Sequence, residues 1–247
     1  MNLEGLSQKF HAGTRITVLT GAGVSAASGV PTFRGPGGLW RNHKAESLAT
    51  AEAFAKDPRM VWEWYDWRRQ ILSTKQPNRG HDILADWSRR YPGFSLITQN
   101  VDGLHERAGT QGVIRFHGSI WELLCWNRCD GSPGRWRDET VPLTEIPPRC
   151  PSCGGMARPG VVWFGEGLDP EVMERSLKAL DCDLFLTVGT SAQVYPAASL
   201  SHEAKRRGAF TVEINLEATP ASTTMDLSLM GPAEEVLGQI ERLIIPS

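Results

Sequence analysis

The feature of this 247-residue chain that most constrains its fold is a turn of small residues set directly after a short apolar run. Ile16-Thr17-Val18-Leu19 reads as a buried strand, and Thr20-Gly21-Ala22-Gly23-Val24-Ser25-Ala26 turns on glycine into an Ala/Ser-rich segment able to start a helix. A buried strand that passes straight into a helix needs a sheet covered by helices. Gly21, Gly23 and Ala26 satisfy the G-x-G-x-x-G/A pattern. In that pattern glycine allows positive φ and close approach of the backbone to a diphosphate, which the free N–H groups of the helix start can hold. The same residues also suit a tight strand-to-helix turn that binds nothing. The continuation Gly29-Val30-Pro31-Thr32-Phe33-Arg34 adds an aromatic ring and a guanidinium, placed to cover a bound group.

Strand and helix signals alternate along most of the chain. A short helix is expected over 50–56. Asp57-Pro58 then opens a helix to about Thr74, with Asp as N-cap and Pro in the first turn. Five of the nine tryptophans fall between Trp40 and Trp87, which points to a helical layer packed with large aromatics. Asn78 caps a helix from His81 to Arg90. Further strands are expected over 93–98, 113–116, 183–188 and 210–214, and further helices over 169–180, 196–207 and 232–244. Gly35-Pro36-Gly37-Gly38 breaks regular structure, so 32–44 reads as a mobile loop. From Ile120 to Ala157 the turn residues Gly131-Ser132-Pro133-Gly134 and Ile146-Pro147-Pro148 mark an insertion with little core of its own. The expected fold is α/β: a Rossmann-like, doubly wound parallel sheet in a single domain over 1–247. Its sheet-forming parts are about 1–35, 80–118 and 158–247, with a helical insertion over about 36–79 and a small cysteine-bearing insertion over about 119–157.

A formal net charge of −2 gives no general pull toward nucleic acid or anionic membrane. No apolar run approaches the roughly 18 residues of a membrane-spanning helix. Met1 to Thr14 lacks an apolar signal region, so a cytoplasmic location is expected. In that setting the cysteine spacing matters. Cys125-x3-Cys129 is followed after 20 residues by Cys150-x2-Cys153, two close pairs that read as one all-thiolate Zn2+ site, closed to water and therefore structural. Cys182 stands alone and reads as a small buried residue.

Polar residues gather at expected strand ends. Asn100 and Asp102 leave the strand over 93–98, where they can offer an amide and a carboxylate to a ribose or carboxamide, or simply form a turn and cap a helix. His117 follows another strand and can serve as a general base or as an ordinary turn residue. Gly189-Thr190-Ser191 and Asn215-Leu216-Glu217 end two more strands, Glu217 being a candidate ribose acceptor. Tyr65 and Arg68 are three apart on the long helix and share a face. They offer a hydroxyl and a fork of donors to a carboxylate, although spacing alone favours a core tyrosine and a solvated arginine.

Taken together and in this order, these motifs resemble the sirtuin family of NAD-dependent protein deacylases. The resemblance runs through Gly21-Ala22-Gly23-Val24-Ser25, Ser28 to Arg34, Thr98-Gln99-Asn100-Val101-Asp102, His117-Gly118, the four cysteines, Gly189-Thr190-Ser191 and Asn215-Leu216-Glu217. It implies that NAD is held by Gly21, Ala22, Gly23, Ser25, Pro31, Thr32, Phe33, Arg34, Trp40, Gln99, Asn100, Val101, Asp102, Gly189, Thr190, Ser191, Asn215, Leu216, Glu217 and Ala233. It implies that His117 is the general base acting on the ribose, that Asn100 orients that ribose, and that Phe33 shields the reacting face. Nicotinamide and O-acyl-ADP-ribose are the implied products. Val162-Trp163-Phe164-Gly165-Glu166 resembles the family's substrate strand and Gln193-Val194-Tyr195 its opposite wall, so an acyl-lysine peptide is expected to add as a strand, touching Phe164, Gly165, Glu166, Val194 and Tyr195. Tyr65-x-x-Arg68 resembles class III sirtuins, in which the pair recognises acyl groups ending in a carboxylate, and small Ala45 leaves room for a longer chain. Succinyl and malonyl groups are therefore expected substrates beside acetyl. The expected partners are acyl-lysine proteins, with no direct nucleic acid or membrane contact and a monomeric state.

Three rivals are weighed on the same residues. A hydride-transferring dehydrogenase needs an acidic residue after the second strand, about 20 residues past the glycines; Glu46 has the distance but sits in a polar loop segment. A mono-ADP-ribosyltransferase or a non-catalytic NAD sensor would use the same pocket without consuming acyl-lysine. A zinc-ribbon nucleic-acid binder lacks its basic, aromatic stripe.

Overall fold

Five consecutive buried residues in Ile16–Thr20 and in Leu184–Val188 place these two strands side by side at the centre of a parallel sheet. The computed structural model describes residues 3–31, 39–40, 43–131 and 133–245, with 39–40 and 43–46 described by backbone only. In chain order the elements are Leu3–Ser7 (α1), Ile16–Thr20 (β1), a 3-10 helix Ala22–Ser28, Leu39–Trp40 (β2), His43–Lys44 (β3), Ala45–Leu48 (α2), Ala51–Lys56 (α3), Pro58–Ser73 (α4), Arg79–Arg90 (α5), Phe94–Thr98 (β4), Leu104–Arg107 (α6), Ile114–Arg115 (β5) and Gly118–Cys125 (β6). Then follow Arg135–Arg137 (β7), Ala157–Val161 (β8), Pro170–Ala179 (α7), Leu184–Val188 (β9), a 3-10 turn Ala197–Ser199, Leu200–Arg206 (α8), Phe210–Asn215 (β10), Leu227–Met230 (β11) and Ala233–Ile244 (α9).

The main sheet has the order β11-β10-β9-β1-β4-β5, with every pairing parallel. Counted among its own strands this is the doubly wound order, and its topological switch point lies between β1 and β9. Ligands bind outside the carboxyl ends of the strands at that point, where Gly21 and Gly189 begin their loops. The core under this sheet joins Val18, Leu96, Leu186 and Ile214 to Leu84 and Trp87 of α5 and Leu237 and Ile240 of α9.

A second, antiparallel sheet has the order β7-β6-β8. Residues 157–161 pair here, with β6, rather than with the main sheet. The β6 strand lies inside the stretch expected to be turn-rich with little core. Its Ile120, Trp121 and Leu123 pack with Ala157, Val161 and Trp163 against Phe54, Val61, Trp62 and Tyr65 of α3 and α4. The helical and cysteine-bearing insertions thus share one core, which neither segment's local pattern displays. Gly118 makes the switch between sheets: it sits at φ 77°, and a Cβ there would collide with the Gly160 carbonyl.

Helix starts follow the capping signals. Thr50 Oγ1 accepts from Ala53 N, Asp57 Oδ1 from Met60 N, Asn78 Oδ1 from Gly80 N and Asp169 Oδ1 from Glu171 N. Within the expected loop over 32–44, β2 and β3 form a short antiparallel pair. The edge strand β11 was not expected; it pairs along β10 from Val212–Leu227 to Asn215–Met230.

Candidate active site

The switch point is built by backbone meeting backbone. Gly23 N donates to Gly189 O at 2.8 Å and Gly21 N to Val188 O at 3.0 Å. A Cβ on Gly23 would lie 2.6 Å from Gly189 Cα, and one on Gly21 would lie 2.8 Å from Gly189 O. The pattern allows positive φ at these two glycines, but neither uses it: Gly21 is extended at φ −127°, and Gly23 is not among the positive-φ residues. Their side chains are absent because the β9 loop occupies that space, while the left-handed residue is Gly189 at φ 61°.

Around this junction the strand-end residues converge. Gln99 Nε2 donates to Thr190 Oγ1 at 2.9 Å, and Asn215 Nδ2 to Thr190 O at 2.8 Å. Asn100 Nδ2 donates to Gly21 O at 3.0 Å and to Ser25 Oγ at 3.2 Å. Ser25, fully buried, donates to Asp102 Oδ2 at 2.8 Å, and Asp102 Oδ1 accepts from Leu104 N at 2.9 Å. Asp102 therefore both caps α6 and joins the glycine loop, so both readings of it apply. Burial pushes its carboxyl above the usual range, and these two donors act against that. Val101 O accepts from Ile120 N, tying the loop to β6. Ala22 and Ser191 are half-buried beside the junction, Leu216 and Glu217 are exposed past β10, Pro31 is exposed, and Ala233 is buried at the start of α9. Thr32, Phe33 and Arg34 lie outside the described residues, as do the side chains of Trp40 and Ala45.

His117 sits at the seam where the chain leaves the main sheet for β6. Its carbonyl accepts from Val162 N, and its Nδ1 lies 3.2 Å from Gln99 O. A carbonyl only accepts, so Nδ1 carries the hydrogen and Nε2 keeps its lone pair. Burial lowers the pKa of this imidazole, and the bond to Gln99 acts in the opposite sense.

Behind the site lies a pair of buried histidines that composition and spacing did not single out. Their rings are 4.8 Å apart. His81 Nδ1 accepts from Asn78 N, so its Nε2–H faces Ser25 Oγ at 3.3 Å. His105 Nε2 lies 2.9 Å from Thr20 Oγ1, whose own hydrogen goes to Thr98 Oγ1, and His105 Nδ1 has no partner. Burial holds both at about 3. The only sequence hint was His81 three residues after the cap Asn78, a position that suits a capping box.

Tyr65 is buried, and its hydroxyl accepts from Trp163 Nε1 at 3.0 Å. The Arg68 guanidinium stands 5.0 Å from the Trp64 ring and 5.8 Å from the Tyr65 ring, and it feels the charge of Asp102. Arg68 is thus half-buried against the aromatic rings of its own helix, within the electrostatic reach of Asp102, rather than fully solvated. The strand from Val162 pairs through Phe164 N to Ala49 O, leaving the Phe164 side chain exposed and Gly165 at φ 84°. The Glu166 carboxylate accepts from Trp163 N and from both Arg158 nitrogens, so it is committed to its own loop. Opposite residues Val194 and Tyr195 are half-buried and exposed.

The four cysteine sulfurs all lie within 4.8 Å of one another. The separations Cys125–Cys153 and Cys129–Cys150 are 3.7 and 3.8 Å. Four thiolates at about 2.3 Å from a tetrahedral Zn2+ would be about 3.8 Å apart, so the set fits one closed zinc site. Gly155 N also points at Cys153 Sγ, as expected of a thiolate acceptor.

Comparison with known proteins agrees with this geometry. The Sir2 family model matches residues 21–196. An NAD-dependent protein deacylase of Aquifex aeolicus is 49% identical over 226 residues, covering 91% of this chain and 93% of that protein. The mitochondrial NAD-dependent protein deacylase sirtuin-5 of Canis lupus familiaris is 40% identical over 260 residues, covering 96% of this chain and 84% of its own. A solved structure of a Sir2 homologue in complex with NAD superposes with a TM-score of 0.88 at 43% identity, covering 97% of this chain and 93% of that one. With a switch-point glycine junction, a buried imidazole at the seam of two sheets and a four-cysteine knot, this chain belongs to the Sir2 family.

Proposed function

We infer that this chain removes acyl groups from lysine side chains of proteins, using NAD as co-substrate and one structural Zn2+. The observation that carries the reading is the His117 tautomer: Nδ1–H is committed to Gln99 O, which leaves Nε2 as a base at the seam of the two sheets. When bound, NAD supplies an electrophilic ribose carbon with nicotinamide as its leaving group. His117 Nε2 accepts the proton of a ribose hydroxyl, and burial keeps the ring neutral for that task. Asn100 is held by Gly21 O and Ser25 through its amide nitrogen, so its Oδ1 remains to orient a hydroxyl. Asp102, fixed by Ser25 and Leu104 N, sets the floor for the carboxamide. The zinc stays outside the chemistry, because four thiolates leave no open coordination position.

Hydride transfer is disfavoured by position. The next main-sheet strand after β1 in chain order is β4, and it ends in Thr98-Gln99-Asn100 where the dinucleotide fingerprint places an acid.

A finer reading concerns the acyl group. Tyr65 and Arg68 stand on α4, Arg68 within the electrostatic reach of Asp102, and a half-buried guanidinium beside a phenol suits an acyl chain ending in a carboxylate, so succinyl and malonyl lysines are proposed substrates beside acetyl. The test is mass spectrometry of matched acetyl-, succinyl- and malonyl-lysine peptides with and without NAD. Arg68→Met is expected to lower desuccinylation at least about tenfold more than deacetylation. Equal loss of both would refute the acyl reading.

A further inference from the structure

Tyr65 presents an unusual balance of donors and acceptors. Its side chain is 1% exposed, and its oxygen accepts the Trp163 Nε1 hydrogen at 3.0 Å. An indole nitrogen only donates, so the phenol's own hydrogen must point elsewhere. Among the described residues nothing accepts it. A buried O–H with one lone pair fixed and its hydrogen unclaimed is aimed by its partner rather than free to rotate.

The partner is itself fixed. The Arg158 guanidinium carbon lies 3.5 Å from the centre of the Trp163 ring, and Phe54 packs 5.3 Å from it. Glu166 closes the unit, accepting from Trp163 N at 2.8 Å and from Arg158. Arg158 also donates to Val161 O at 2.9 Å. One connected set therefore runs from the strand expected to hold the peptide, through the indole, to the phenol beside Arg68.

We propose that Trp163 is a specificity-determining positioning residue: its indole N–H orients the Tyr65 hydroxyl so that the phenol hydrogen faces the terminal carboxylate of a dicarboxylic acyl-lysine. This rests on the acyl reading given for Tyr65 and Arg68. Trp163 touches neither the carboxylate nor the reacting atoms; it acts through Tyr65. An acetyl group has no acceptor at that depth, so the contribution belongs to carboxylate-terminated acyl groups alone.

The experiment compares kcat/KM for succinyl-lysine and acetyl-lysine versions of one peptide in the full-length, zinc-loaded enzyme. Trp163→Phe keeps an aromatic side chain but removes the indole N–H, and it is expected to lower the succinyl-to-acetyl ratio about tenfold. In a Tyr65→Phe background the same change should leave the ratio where Tyr65→Phe alone puts it, because the two act as one unit. A merely structural role for Trp163 would lower both activities together and keep the ratio, overturning the proposal. If Tyr65→Phe and Arg68→Met reduce the ratio but Trp163→Phe does not, this inference fails while the acyl reading stands. If none of the three changes it, the acyl reading fails and this inference with it. Should Trp163→Phe not fold, a benzothienylalanine at 163 replaces only the N–H by sulfur and must give the same tenfold fall.

Discussion

Acidification is expected to destabilise the folded chain through His81 and His105. Both imidazoles are neutral when folded because burial lowers their pKa from 6.5 to about 3, with His105 adding repulsion at His81. Each has a second obstacle to protonation. A proton on His81 Nδ1 would face the Asn78 N–H that it now accepts, and a proton on His105 Nδ1 would be a buried donor without a partner. The unfolded chain has neither constraint and takes up protons near pH 6.5. Between the two pKa values the unfolded state holds more protons, so stability is complete above about pH 7 and falls as pH drops. Going from pH 7.5 to 5.5 costs about 1.4 kcal/mol per histidine, or about 2.7 kcal/mol for the pair. Urea unfolding followed by tryptophan fluorescence, with zinc present, gives the stability at both pH values. Because protonation of other groups is common to both proteins, the informative quantity is the difference between wild type and His105→Asn. The variant should lose about 1.4 kcal/mol less over that interval. An identical pH dependence in the two proteins would show that His105 titrates in the folded state as it does in water, and a larger loss in the variant that it is charged there; either would refute the reasoning.

Further outcomes follow from the same geometry. His117→Ala should lower deacylation by about 10²–10⁴-fold while NAD binding by calorimetry is retained, and wild-type kcat/KM should fall only below pH 6.5, because burial lowers the pKa of this base. Chelation of zinc, or Cys150→Ser, should release one metal per chain by mass spectrometry and speed limited proteolysis of the loops around 126–134 and 149–155, since the four thiolates tie these loops together beyond the paired ends of β6 and β8. Gly23→Ala places a Cβ 2.6 Å from Gly189 Cα, a backbone collision that should cost about 1–3 kcal/mol and raise KM for NAD; an unchanged melting temperature would contradict the close packing of the two loops.

The parts of this protein that depend on local chemistry were legible in its residues. Capping residues Thr50, Asp57, Asn78 and Asp169 start the helices where their side chains accept backbone N–H groups. Apolar runs set the central strands because that signal acts over a few residues, and the cysteines announce the zinc knot because each pair is locally spaced for one metal. Tertiary structure decided what depends on segments distant in the chain. Gly21 and Gly23 are glycine because Gly189 needs their space, not because their own backbone is left-handed. The β6 strand is buried only because α3 and α4 cover it, so its sequence alone looked like a loop-rich insertion. Asp102 is at once a helix cap and a member of the Ser25 network, a double role that appears only when β1 and β4 lie side by side. His117 gains a defined tautomer through a carbonyl 18 residues away, and Tyr65 gains its fixed hydroxyl from an indole 98 residues away. Hydrogen-bond direction depends on which groups meet, and in this chain the two sheets and the helical layer bring them together.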